Sequence, residues 1–262
     1  MDFWGVVGKV VGKYGPMLLS GAGTTLLIAI AGTIVGFAIG LGIGVLRTIP
    51  YDSKSSPVKR FFIRILNFIL VAYIEIFRGT PMMVQAMVIF YGMAEAFQII
   101  MDPIVAGFII VSINTGAYMA EIVRGGIVSI DKGQFEAAHS IGMTHAQTMT
   151  SVVLPQAIRN ILPATGNEFV INIKDTSVLN VIGVSELFFI SNSVVSNLYQ
   201  YFPVFLVTCI LYFVMTFTVT RILRLVERKM EGSKTYTIHG SQTVPEAEIK
   251  ITNGRERSRW TR

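Results

Sequence analysis

Between Met17 and Leu46 the chain runs through thirty consecutive residues without one charged side chain. A helix of that length reaches about 45 Å at 1.5 Å per residue, whereas only about 20 apolar residues are needed to cross the hydrocarbon of a bilayer. The run is too long for the apolar core of a secretory leader, and no small-residue cleavage site followed by a polar mature sequence succeeds it. It is therefore expected to remain in the chain as a first span that tilts or projects beyond the membrane. Composition extends this reading to the whole molecule. Of the 262 residues 52% are apolar and 15% charged, and a mean hydropathy of +0.59 is too high for a soluble domain of this size. The expectation is an all-α, polytopic membrane protein. Gly32, Gly36, Gly40 and Gly44 recur every four residues within the first run, which lines them along one helical face where another backbone can approach closely.

The net charge of +6 gathers at the ends of apolar segments, a distribution that argues for orientation in a membrane and against nucleic acid as a partner. Three basic zones stand out: Arg47 to Arg64 with Lys54, Lys59 and Arg60 between them, Arg124 to Arg159, and everything from Arg221 onward. If all three are cytoplasmic, an even number of crossings separates each from the next. Phe61–Arg78, Thr80–Gln98 and Pro103–Ile122 lie between the first two zones, and three crossings would break the parity. Phe61–Arg78 is therefore read as a slanted or interfacial helix, joined to the next segment at a break over Gly79, Thr80 and Pro81, where proline removes a donor and disfavours helix before it. Leu162–Ser191 and Tyr201–Leu223 bring the total to about five transmembrane helices, with the N-terminus outside and the C-terminus in the cytoplasm. The expected organisation is an extracytoplasmic segment 1–16, a transmembrane domain 17–230 and a disordered cytoplasmic tail 231–262 of polar composition. The single cysteine, Cys209, lies in an apolar run and is read as a small packing residue.

The region from about 129 to 160 is a polar, helix-forming island between apolar segments. It contains Glu136-Ala137-Ala138, then after three residues Gly142, then after nine more Val152-Val153-Leu154-Pro155. Glu136 places charge on a helix surface, Ala137 and Ala138 keep that helix slim, Gly142 permits a sharp turn and Pro155 restricts how the chain re-enters the membrane. His139 and His145 have no carboxylate or cysteine at ligand spacing and read as surface residues. The pattern resembles the EAA loop of bacterial ABC-importer permeases, with Val152 where that family usually has isoleucine. Further segments resemble its polar amino-acid branch, the histidine, glutamine and arginine type: Glu75-Ile76-Phe77-Arg78-Gly79-Thr80-Pro81, the stretch from Ala117 to Ile127, Gly133-Gln134-Phe135 before the EAA residues, Leu154-Pro155-Gln156-Ala157, and Lys174-Asp175-Thr176-Ser177. The resemblance runs from about Gly21 to Glu227.

This resemblance implies an importer-permease fold of the MetI-like type with a cytoplasmic coupling helix, set in a bacterial cytoplasmic (plasma) membrane. It implies a translocation path for polar amino acids, coupled to cytoplasmic ATPases through Glu136, Ala137, Ala138, Gly142, Leu154 and Pro155. The implied partners, besides membrane lipid and the amino acid itself, are two ABC ATPase subunits carrying ATP and Mg, a second permease copy or related chain, and an extracytoplasmic substrate-binding protein. No phosphate loop is present, since Gly232-Ser233-Lys234-Thr235 lacks the glycine before the lysine, and no nucleophile and base stand in a motif. Neither catalysis nor a cofactor or metal is expected of this chain. Alternatives are a permease for another small solute, such as a modified or sulfur-containing amino acid, or an ATPase-independent channel, which would need no docking helix.

The fourth apolar segment, Leu162–Ser191, carries Asn167, Glu168, Asn172, Lys174, Asp175, Thr176, Asn180 and Glu186. A charge at the centre of a membrane helix costs about 3 kcal/mol on insertion scales, so such groups face the bundle interior or a wet cavity. Lys174 and Asp175 point about 100° apart on a helix and need separate partners. They are read either as buried ions tying helices together or, with Glu168, Asn172 and Thr176, as a substrate path that meets the two charges of a zwitterion. Gln85, Asn114 and Glu121 are further candidates for the lining. Glu75 and Arg78, three apart, are expected to pair as a structural brace beside Pro81. Arg221, Arg224 and Arg228 form a basic helix edge suited to anionic headgroups.

Overall fold

The computed structural model describes residues 2–49, 56–230, 237–239 and 248–250. The first compact unit ends at Thr220. Helix α1 (Phe3–Lys9) passes through a π-helical turn (Val10–Tyr14) into the long α2 (Gly15–Leu46). The segment expected as extracytoplasmic, 1–16, is thus largely helical and continuous with the first span. After α3 (Pro57–Gly79) come α4 (Met82–Phe97), α5 (Pro103–Val128), α6 (Lys132–Ser140) and α7 (His145–Thr148). A second π-helical turn (Met149–Val153) leads into α8 (Leu154–Asp175), a 3₁₀ segment (Thr176–Ile182), α9 (Leu187–Leu198) and α10 (Tyr201–Met230). Both π turns precede a proline, Pro16 and Pro155. A proline ring crowds the carbonyl four residues back. Here those carbonyls belong to Gly12 and Ser151, inside the two π turns, whose wider loop absorbs the misfit.

Helix starts follow local chemistry. Asp102 caps α5 by accepting from the N–H groups of Ile104 and Val105 at 2.9 and 3.2 Å, with Pro103 at the first helical position, where its missing N–H costs nothing. The break over Gly79, Thr80 and Pro81 forms as expected: Thr80 and Pro81 are both extended, between the end of α3 and the start of α4.

α5 is the central element. It lies along α2 over most of its length and also touches α3, α4 and α8. The glycine stripe makes the α2 contact, within this chain. A Cβ on Gly32 would stand 2.6 Å from Val111 Cγ1, on Gly36 2.6 Å from Thr115 Cβ, on Gly44 2.5 Å from Val123 Cγ1, and on Gly40 against Met119 Cβ. Both faces therefore advance four residues at a time. Three apolar clusters continue the core: Val6, Val10 and Leu18 with α9 and Val204 of α10; Ile28, Ala86, Ile110 and Val111 with Leu179 and Ile182; and the end of α5 with the second π turn and the start of α8.

Among the described residues three helices are long and apolar enough to cross a membrane, Phe3–Leu46, Pro103–Val128 and Tyr201–Lys229, and a fourth crossing results if the pair His145–Ile182 and Leu187–Leu198, bent by 55°, is one span. The place of the expected span Thr80–Gln98 is taken by the shorter apolar α4, 16 residues long. The expected unbroken span Leu162–Ser191 is corrected: α-helix ends at Asp175, a 3₁₀ segment of 7 residues follows, and the chain turns before α9. Runs of 3₁₀ helix beyond about 4 residues are uncommon, and the Asp175-Thr176-Ser177 triplet supplies side chains that compete for backbone groups. Cys209, read as a small packing residue, is exposed on this chain.

The second unit begins at Arg221 and contains the end of α10 with Arg221, Arg224 and Arg228. In it β1 (Thr237–His239) pairs antiparallel with β2 (Glu248–Lys250), Ile238 opposite Ile249. The expectation of disorder over 231–262 otherwise falls outside the described residues.

Candidate functional site: coupling hairpin and polar interior

The polar island folds as a helical hairpin. Asp131 opens α6 by accepting from the Gly133 N–H at 2.7 Å. At the other end the Gly142 N–H donates to His139 O at 3.0 Å and the Met143 N–H to Ala138 O at 3.1 Å, the paired bonds that stop a helix on a left-handed residue. Gly142 takes that conformation, with φ of 81°, where an L side chain costs about 1–2 kcal/mol. A capping box restarts the chain in α7: the Gln147 N–H donates to Thr144 Oγ1 at 3.3 Å and the Thr144 N–H to Gln147 Oε1 at 2.8 Å.

One side of the hairpin is anchored. Ala138 is buried, and Phe135, Met149, Val153 and Leu154 pack with Ala157 and Ile161 of α8 against Val123, Ile127 and Ile130. Asn160 Nδ2 donates to Ser129 Oγ at 3.2 Å. The other side is open: Glu136, Ala137, Gly142 and Pro155 are exposed, and Ile141 is 79% exposed beside them. Ile141 drew no attention in the sequence, because position within the turn and not residue type exposes it. Its signal was the adjacent Gly142, which ends the helix there.

The candidate path residues divide by chemistry. The amides lie in knots between helices. Asn172 Nδ2 donates to Thr33 Oγ1 at 2.8 Å and to Thr115 Oγ1 at 2.9 Å, joining α8 to α2 and α5. Gln85 Nε2 donates to the carbonyls of Phe77 and Thr80, each at 2.9 Å, and Asn114 Nδ2 donates to Gln85 Oε1 at 2.8 Å; together they close the open backbone of the α3–α4 break. Thr176 is buried and returns its hydroxyl to Ile173 O at 3.0 Å. The charged members differ: Lys174 is exposed, Asp175 half-buried and Glu168 buried. Seven residues apart, Glu168 and Asp175 share one face of α8.

Residues 55–232 match the family described as the binding-protein-dependent transport system inner membrane component. The chain belongs to this family. Among curated relatives of this permease, the glutamine transport system permease protein GlnP of Escherichia coli (strain K12) is 37% identical over 217 residues, covering 82% of this chain and 94% of that protein. The L-cystine transport system permease protein TcyB of Bacillus subtilis (strain 168) is 35% identical over 200 residues, covering 76% of this chain and 82% of that protein. Among solved structures, an amino acid ABC transporter with histidines superposes with a TM-score of 0.74 at 38% identity, covering 87% of this chain and 99% of that chain. The inward-facing MetNI methionine ABC transporter shares the fold, with a TM-score of 0.68 at 18% identity over 84% of this chain and 98% of that chain. The permease is thus a bacterial inner-membrane protein whose membrane part is all-α and of the MetI-like class.

One expectation about this permease needs correction. Glu75 and Arg78 are exposed, and among the described residues they form no ion pair with each other. Arg78 instead lies over the Tyr118 ring, 5.6 Å from its centroid, because a flat aromatic face on α5 competes with a solvated carboxylate on its own helix. Pro81 serves as the extended residue before α4. Glu121 belongs to an ion cluster: its Oε2 accepts from Arg47 Nη1 at 3.1 Å and its Oε1 from Arg124 Nε at 2.7 Å. The polarity of the fourth segment also concealed a capping role. Glu186 is fully buried and accepts from the N–H groups of Phe188 and Phe189 at 2.9 and 2.7 Å and from Tyr212 Oη at 2.9 Å, so it holds the start of α9 and ties it to α10.

Proposed function

We propose that this chain is the permease subunit of an ATP-driven importer and forms the translocation path for polar amino acids. The observation that carries the reading is the hairpin from Asp131 to Thr148, clamped on one side to α5 and α8 while Glu136, Ala137 and Ile141 stand free on the other. The substrate class follows from the relatives, which are permeases named for glutamine and cystine. In this reading two cytoplasmic ATPases hold ATP and Mg and grip the hairpin, with Leu154 and Pro155 fixing its return into α8. A second permease copy or a related chain completes the pore, and an extracytoplasmic binding protein delivers the amino acid. Positive-inside parity is kept if α4 also crosses, giving five crossings within a permease domain at 17–230, with 1–16 outside and the tail 231–262 in the cytoplasm. Lys174, Asp175 and Glu168 are the groups assigned to the path. Asn172, Thr176, Gln85 and Asn114 hold the helices that present them.

The test uses the chain co-expressed with its ATPase, second permease chain and binding protein, offered radiolabelled glutamine, cystine, arginine and histidine separately. Wild type takes up at least one of them. Gly142→Val, a branched side chain forced to positive φ, and Glu136→Lys, a reversal of the exposed charge, each reduce uptake and ATPase co-purification while the chain still inserts. Unchanged uptake and co-purification in both variants overturn the coupling reading.

A further inference from the structure

We propose that Glu121 is a positioning residue that makes the first span move together with the coupling hairpin. The inference rests on the coupling reading above. Glu121 lies on α5 seven residues before the helix ends at Val128, about two turns from where the chain departs for the hairpin. Its two oxygens are divided between two helices. Oε1 takes the Nε and Nη2 of Arg124, on the same helix, and Oε2 takes Nη1 of Arg47, the residue that ends α2. The Arg47 and Glu121 side chains are 20% and 27% exposed, too sheltered to be a freely solvated surface pair.

The surroundings show what this link adds. The end of α5 is already fixed to α8: a Cβ on Gly126 would collide with Ile161 Cγ2, and Ser129 accepts from Asn160. The hairpin leaves α5 and re-enters α8, so its motion reaches both helices directly. α2 also meets α8 at Thr33 and Asn172 and packs Phe37, Leu41 and Val45 on the apolar cluster at the base of the hairpin; this carboxylate adds an ion pair to the very end of the helix. The seam of small residues brings the two backbones close, with Val111, Met119 and Val123 of α5 seated at the glycines, and its contacts are apolar. A charge-assisted hydrogen bond at the end of the seam supplies a fixed register. Because two guanidinium groups share one carboxylate, loss of Glu121 also leaves two like charges facing each other. Arg47 is the informative partner, since its bond alone crosses between helices.

The experiment reconstitutes the whole complex in proteoliposomes with its binding protein and measures uptake per ATP hydrolysed. The probe is whichever radiolabelled amino acid of the four above the wild type transports. Arg47→Gln lowers the ratio about 5-fold, within the range seen when residues between coupled sites are altered, while the ATPase still co-purifies. Arg47→Lys restores most of the ratio, and Arg124→Gln lowers it less than half as much. A wild-type ratio in Arg47→Gln with the ATPase still bound overturns the inference and leaves the coupling reading standing; failure of the ATPase to co-purify with the wild-type chain strikes the coupling reading itself. Equal losses in Arg47→Gln and Arg124→Gln that merely track a falling thermal midpoint also overturn it, as they report stability alone.

Discussion

α2 keeps helical backbone for 32 residues and is held to α5 by proximity: four glycines bring the two backbones together, and the contact is van der Waals packing repeated every four residues. α8 and α9 occupy the same membrane yet follow another rule. Helix gives way after Asp175, and side chains take over the work of the missing backbone bonds, most fully at Glu186, where two N–H groups and the Tyr212 hydroxyl converge on one carboxylate. In hydrocarbon an unsatisfied backbone group costs several kcal/mol, so a continuous helix can be apolar throughout, whereas a broken one must carry polar residues at the break. The polarity of the fourth segment is therefore partly the cost of its bend.

The comparison is broken most severely on the seam. Gly40→Leu places a side chain against Met119 Cβ, with the backbone N of Ala120 only 2.7 Å from the new Cβ; backbone cannot step aside as a flexible side chain can. Overpacking a core costs about 1–3 kcal/mol where side chains yield, and more than about 3 kcal/mol is expected here, read as loss of folded protein from the membrane fraction. Gly42→Leu is the control, because nothing lies within 4 Å of a Cβ there, and its thermal midpoint stays near wild type. Equal damage from both would mean that helix propensity and not the seam governs α2. At the break, Glu186→Ala strips α9 of its cap and leaves Tyr212 without its acceptor, a loss of about 2 kcal/mol by the usual cost of a missing cap and an orphaned buried group. A midpoint shift as small as that of Gly42→Leu would show that the bend does not depend on this carboxylate.

The same contrast explains what could be read in advance. The glycine stripe was legible because its period matches a helix face, and the break at Gly79 to Pro81 because proline dictates it. Neither signal named a partner. The residues across the seam, Val111 to Val123, lie some eighty positions away, and Arg47 reaches Glu121 across 74. The bend before α9 carries no proline, so an apolar segment of spanning length passed as continuous. Glu75 and Arg78 had suitable spacing, but Tyr118, 40 residues beyond Arg78, offered its ring. For the hairpin almost everything was local: caps, Gly142 and the alanines sit within about twenty residues, which is why its outline was visible while the exposure of Ile141 was not.

The mildest and sharpest perturbation is Asn172→Val, where one side chain of the broken span bonds to both helices of the seam. Asn172 donates to Thr33 on α2 and Thr115 on α5 and accepts from Thr115 at 3.2 Å, so its amide is spent on neighbouring helices. Thr33 keeps its own bond to Ala29 O at 2.7 Å after the change, leaving Thr115 as the principal loser. Interhelical hydrogen bonds in membranes average about 0.6 kcal/mol, and valine preserves most of the volume. The expected outcome is a small downward shift in thermal midpoint with uptake and selectivity unchanged. If instead the variant complex is as stable as wild type but transports poorly or prefers a different amino acid, Asn172 meets substrate, and the division between amides that hold the helices and charges proposed to line the path fails at this residue.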